Sequence, residues 1–270
     1  MCLISLAWRV HPRYRLILAA NRDEFHARPT LPLAEWQHEP AIVGGRDSLH
    51  GGSWLAMRGP RMAAVTNVRR PPEQQDGRSR GELVADFVRG DADATAALHA
   101  LANSATQYRP FNLLLHDGDT LAFATNSAGT SNIADGPGID MRTLEAGIHG
   151  VSNGALDAPW PKTAQMMARL DGWLASSAAR IPADVTPDLE PLFDALADTG
   201  VAPDDRLPDT GIGLDYERFL SPAFIAHATY GTRASTVVLI ADDHAEIVER
   251  RFGAEARFLG ETRLRIEISQ

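Results

Sequence analysis

The sequence predicts an α+β fold, with two stacked antiparallel sheets flanked by helices in a single domain spanning residues 1–270. Strand hairpins lie at both ends of the chain, helical patterns gather in the middle, and no fixed-period repeat interrupts them. The first hairpin is apolar on nearly every residue instead of on alternate ones, as strands covered on both faces are.

Taken in order, Leu3–Trp8 and Arg15–Ala20 form that hairpin around Val10-His11-Pro12-Arg13. The chain then turns polar at Asn21-Arg22-Asp23-Glu24, where the second strand is expected to empty into a loop. A further hairpin, Ser53–Arg58 with Met62–Asn67, turns at Gly59-Pro60. Val68–Arg80 reads as an exposed loop. Ser79 and Glu82 then have capping-box spacing for a helix through Val88. A second helix follows Gly90-Asp91 and runs to Leu101. Phe111–His116 and Thr120–Thr125 make another hairpin, and Ile148–Ser152 is a short strand. Pro161 suits the first position of a helix over Lys162–Ser176, and Asp188–Asp198 forms the next. Thr199–Asp215 is a loop able to cover a cleft. Strands over Ala223–Thr229, Ser235–Ala241, Ala245–Phe252 and Leu264–Ile268 complete the chain.

Bulk properties narrow the function. With 44% hydrophobic and 23% charged residues the chain is an ordinary globular protein, and its net charge of −9 argues against nucleic acid as partner. No apolar stretch is long enough to span a bilayer, and no signal peptide is visible, so a cytoplasmic location is expected. One cysteine excludes an internal disulfide and cysteine-rich zinc patterns, and no metal site is predicted.

That cysteine, Cys2, directly follows the initiator methionine. It is small enough for Met1 to be removed, which would leave a thiol and a free α-amine on one residue. Their ordinary pKa values, about 8.5 and about 7.7–8.0, both lie near neutrality. The thiolate is a nucleophile and the neutral amine can collect its proton. Small-polar and charged clusters recur elsewhere where strands end, at Thr66-Asn67, Ser152-Asn153-Gly154 and Gly231-Thr232-Arg233.

With Cys2, these clusters resemble the NRDE family, also known as the homologues of transport and Golgi organisation protein 2. The matching motifs include Ala20-Asn21-Arg22-Asp23-Glu24-Phe25, Gly51-Gly52-Ser53-Trp54-Leu55, Ser79-Arg80-Gly81, Pro159-Trp160-Pro161-Lys162 and Tyr230-Gly231-Thr232-Arg233. The resemblance implies a four-layer αββα fold of the N-terminal-nucleophile hydrolase kind. It also implies Cys2 as nucleophile, its amine as base, and Asp23 as the group holding that amine. Asn67 and Asn153 would be oxyanion donors, and Arg233 a partner of Cys2. Asn21, Arg22, Trp54 and Trp160 are the expected substrate-binding residues. Bile-salt hydrolases separate the arginine from the aspartate, whereas here Arg22 directly precedes Asp23. Neighbouring strand residues face opposite ways, so Arg22 is also read as structural support for Glu24 or Asp47. The expected activity is cleavage of a small linear amide, for which no cofactor is required. The alternative is a carrier on the same fold, with haem or an acyl-lipid or acyl-CoA ligand as cargo.

Overall fold

The hairpin expected at the chain start forms, and its second strand outlasts the apolar run. A computed structural model describes residues 2–71, 77–127, 138–176 and 185–268. Met1 and the 72–76 part of the loop expected over Val68–Arg80 lie outside the described residues. β1 (Cys2–Trp8) pairs antiparallel with β2 (Leu16–Phe25), with Trp8 opposite Leu16 and Cys2 opposite Arg22. Asn21-Arg22-Asp23-Glu24 is therefore strand, not loop. Polar residues can continue a buried strand when each finds a partner, and these do.

From Arg28 to Glu145 the chain builds one compact unit on an antiparallel sheet. Its strands are β3 (Thr30–Trp36), β4 (Glu39–Asp47), β5 (Leu55–Arg58), β6 (Arg61–Asn67), β7 (Phe111–His116), β8 (Leu121–Thr125) and β9 (Asp140–Thr143), which lie in that spatial order. β3 and β4 were not foreseen. Pro32 sits on the edge strand β3, where a missing N–H is tolerated. Helices α1 (Arg80–Arg89) and α2 (Ala94–Ala102) pack Leu83, Val84, Phe87 and Leu98 against Ala63, Leu113 and Ala122. Ser79 does stand at the N-cap of α1, but its side chain makes no cap bond, and Glu82 turns instead to Arg78 at 2.7 Å. The two glycine motifs have a packing cause. A Cβ on Gly52 would lie 2.4 Å from the Gly81 carbonyl carbon, and the Ser53 N–H donates to the Gly81 oxygen. The start of α1 thus touches the β4–β5 connection backbone to backbone.

The residues up to Ala27 and from Ala146 to Ile268 form the other unit. β10 (Gly147–Val151), β11 (Tyr230–Ile240), β12 (His244–Phe252) and β13 (Phe258–Glu267) join the first hairpin in the order β10-β1-β2-β11-β12-β13, all antiparallel. One face carries α3 (Pro161–Ala175) and α4 (Glu190–Leu196). Leu3, Ala7, Ile17, Ala19, Val237 and Leu239 meet Met166, Leu170, Trp173 and Phe193 there. The opposite face, with Ile4, Leu6, Leu16, Leu18 and Val238, is equally buried, which is why these strands show no alternation. Each such side chain withdrawn from water contributes roughly 1.5–3 kcal/mol.

Thr199–Asp215 is tied down by the short helix α5 (Leu214–Phe219). Arg218 pairs with Asp204, and buried Glu217 accepts from Thr210. The expected strand at Ala223–Thr229 is a buried strap ending at Ile225, followed by exposed residues. The α+β class stands, with two antiparallel sheets that each carry helices. No helix among the described residues is long and apolar enough to cross a membrane.

The start of α2 is capped twice. Asp93 accepts from Ala96 N, and Asp117 accepts from Ala94, Asp119 and Thr120 N–H groups at 2.7–2.9 Å. Burial pushes the Asp117 carboxyl up, but these donors outweigh it and hold the pKa below the ordinary value. A depressed carboxylate stabilises the fold above its unfolded pKa, about 3.9, and that contribution is lost as pH falls through the folded value. Asp117→Ala is expected to cost about 2 kcal/mol at pH 7, lowering the melting temperature by about 4–8 °C. Thermal melts should show the gap closing below about pH 4. A gap independent of pH would contradict the assignment.

Candidate active site

Cys2 opens β1, and the sheet register decides what surrounds it. Residues paired across antiparallel strands project from the same face. Cys2 pairs with Arg22, and Arg22 with Ala234. On the other side Ile4 pairs with Val151, the last residue of β10, and Ser152-Asn153 follow it as the chain leaves the sheet. Arg22 and Cys2 thus face each other across two strands at one end of the sheet, with the Asn153 turn beyond the end of β10. Asp23 belongs to the opposite face with Asn21, which pairs with Leu3. The Ser152 hydroxyl donates to the Cys2 carbonyl at 2.8 Å and lies 3.2 Å from Oδ1 of Asn153. The Asn153 amide beside it is fully buried.

The turn after Asn153 is shaped by an aromatic ring. Trp160 lies so close over Gly154 that a Cβ there would stand 2.6 Å from it. Pro161 then starts α3, and buried Lys162 donates from Nζ to the Leu220 carbonyl at 3.0 Å.

On the helix-bearing face, Asn21 is an internal clamp. Its Nδ2 donates to the carbonyls of Leu196 and Ala223, both at 2.8 Å, and its Oδ1 accepts from Ser235 at 2.6 Å. With both N–H bonds and the carbonyl committed inside the fold, its contacts serve the strap at Ala223. Asp23 accepts from Thr232 Oγ1 at 2.7 Å. The register of β2 with β11 slips between Thr232 and Ala234, leaving Arg233 as the extra residue of a bulge, a device that re-aims a side chain. Arg233 donates to the carbonyls of Phe25 and His26, closing the end of β2. Arg22 stands 3.8 Å from Glu24, one of the two partners expected for it.

Electrostatics at the sulfur are opposed. Burial pushes the Cys2 thiol up, the amino-terminal charge and Arg22 pull it down, and the Asp23 charge pushes it up, for a net rise. Burial and the like charge of Arg22 both lower the pKa of Arg233.

The fold therefore gathers Cys2, Arg22, Asp23 and Asn153 at one sheet end, with Arg233 on the adjoining strand. Asn67 ends β6 and Trp54 precedes β5, both in the other unit, where Trp54 covers Gly45. Thr232, Ser235 and Lys162 were given no role from sequence; a threonine between Gly231 and Arg233 in a strand was the available sign. Among the described residues, no group of three or more His, Cys, Asp or Glu side chains could hold a metal ion.

Comparison with known proteins agrees with the motifs. The sequence model of the family described as Transport and Golgi organisation 2 matches residues 1–254. The chain is 31% identical over 272 residues to the mouse Transport and Golgi organization 2 homolog, covering 93% of this chain and 92% of that one. It is 35% identical to the Drosophila melanogaster Transport and Golgi organization protein 2 over 127 residues, 42% of this chain and 45% of the other. Among solved structures, a Caenorhabditis elegans N-acylethanolamine-hydrolyzing acid amidase ortholog overlays with a TM-score of 0.49 at 10% identity. The overlay covers 73% of this chain and 86% of that one.

The contact between Gly154 and Trp160 gives a direct test of how the Asn153 turn is built. Gly154→Ala should destabilise the protein by roughly 1–3 kcal/mol through overpacking. Combining it with Trp160→Ala should recover part of that loss, read as a non-additive cycle in denaturant midpoints. Strict additivity would mean that the ring does not constrain residue 154.

Proposed function

The chain belongs to the Transport and Golgi organisation 2 family, and we propose that it is a cysteine amidohydrolase that cleaves a small linear amide through a thioester on Cys2. The observation that carries this reading is the setting of the sulfur. Cys2 opens β1 with Arg22 opposite it on the neighbouring strand, and its carbonyl is held by the Ser152 hydroxyl.

The route requires removal of Met1, which puts a free amine on Cys2. That amine, in its neutral form, takes the thiol proton as the sulfur attacks the amide carbon, and the C=O electron pair moves onto oxygen. The amide N–H bonds of Asn153 are assigned to the resulting oxyanion, and Asp23 to holding the amine. Collapse breaks the C–N bond, and the departing amine leaves with the proton from the Cys2 ammonium. Water, deprotonated by the same amine, then attacks the thioester, expelling the thiolate and releasing the acid. Arg22 and Arg233 are assigned to keeping the thiolate stable between the two halves. Every step uses groups of this chain and needs no cofactor.

The test is a panel of fluorogenic N-acyl arylamides, with intact-mass analysis of the purified protein. The expected result is a chain lacking Met1, turnover abolished by Cys2→Ala, and kcat lowered about 10²–10³-fold by Asn153→Ala. Retention of Met1, or turnover that survives Cys2→Ala, would contradict the reading. Binding of haem or an acyl ligand would then be the function left to examine.

A further inference from the structure

Asp23 can hold the chain start only if something holds Asp23. Its strand neighbour Thr232 is fully buried, and its hydroxyl is committed in both directions. The oxygen accepts the Ile225 N–H at 3.0 Å, so its single proton goes to Oδ1 of Asp23 at 2.7 Å. Thr232 N–H in turn donates to the Ile225 carbonyl at 2.9 Å. This double clasp requires glycine next door, since a Cβ on Gly231 would stand 2.4 Å from that carbonyl oxygen. The segment being clasped is the buried strap Leu220–Ile225, which Lys162 also holds at Leu220 and Asn21 at Ala223. Strap, strand β11 and Asp23 therefore meet at one hydroxyl.

We propose that Thr232 is a positioning residue for Cys2: its hydroxyl fixes the rotation of the Asp23 carboxylate, next to Arg22, which Cys2 faces. The inference deepens the hydrolase reading and takes its catalytic meaning from it. Valine has nearly the shape of threonine without the hydroxyl. Thr232→Val strips a hydrogen bond from the Asp23 carboxylate, which frees its rotation and concentrates its charge near the thiol. That change disfavours the thiolate. The other charges acting on Cys2, the amino terminus and Arg22, are left as they are, as are Glu24 and Arg233 beside Arg22.

The experiment measures Cys2 alkylation by iodoacetamide from pH 5 to 10 on the full chain. It needs no substrate and reports one site, because the chain has 1 cysteine. The variants are Thr232→Val, Thr232→Ala as a second hydroxyl-free form that crowds nothing, and Thr232→Ser, which keeps the hydroxyl. Melting curves accompany each. The hydroxyl-free variants should move the alkylation midpoint up by about one pH unit, a loss of about tenfold in rate at pH 7. Thr232→Ser should return the rate to within about twofold of the starting protein. A midpoint left in place or moved downward, or a serine variant that fails to rescue, overturns the role of Thr232, even if melting temperatures fall. A starting protein whose midpoint sits at the free-thiol value, about 8.5, overturns the Cys2 reading together with it.

Discussion

The pairing of β1 with β2 is the constraint on which the rest of the site depends. Side chains alternate along a strand, so a one-residue slip would carry Cys2 to the helix-bearing face and send Leu3 to the other. The slip is resisted along the whole hairpin, because Leu3, Ala7, Ile17 and Ala19 fill one core while Ile4, Leu6, Leu16 and Leu18 are buried on the reverse. Apolar packing at the closed end of the hairpin thereby sets which residues face the sulfur at its open end.

The polar end of the same hairpin survives burial because its groups are paired. A buried amide or hydroxyl without a partner costs about 1–3 kcal/mol. Asn21 answers that cost with two carbonyls and the Ser235 hydroxyl, Asp23 with Thr232, and Ser152 with the Cys2 carbonyl. Each of these bonds joins residues far apart in sequence. Cys2 thus starts a strand held by a network that closes only when the first hairpin, the strap and the β11 strand have come together.

What could be read from sequence divides along a physical line. Apolar periodicity showed the strands of the first hairpin, β7, β8, β11 and β12, and the Pro161 helix start, because burial and φ restriction are written residue by residue. The polar continuation of β2 was read as loop because polarity was equated with exposure. Nothing local says that Asn21 will meet Leu196 and Ala223. Ala223–Thr229 is apolar enough at its start for a strand, but its backbone bonds go to Asp198, Thr232, Glu255 and His26 and not to a ladder. The alternation rule did place Asn21 and Asp23 on one face and Arg22 on the other. It could not show that Asp23 would be held by Thr232. Gly52 and Gly154 were visible as motif residues, yet their reason, contact with Gly81 and with Trp160, exists only in three dimensions.

The account stands on a covalent event at one atom. Acid-quenched protein taken during steady turnover of an arylamide, digested and read by fragment mass spectrometry, locates the acyl group directly. The account predicts that group on the sulfur of Cys2 at the head of the chain. An acyl group on another residue, or none on Cys2 while product accumulates, would contradict it.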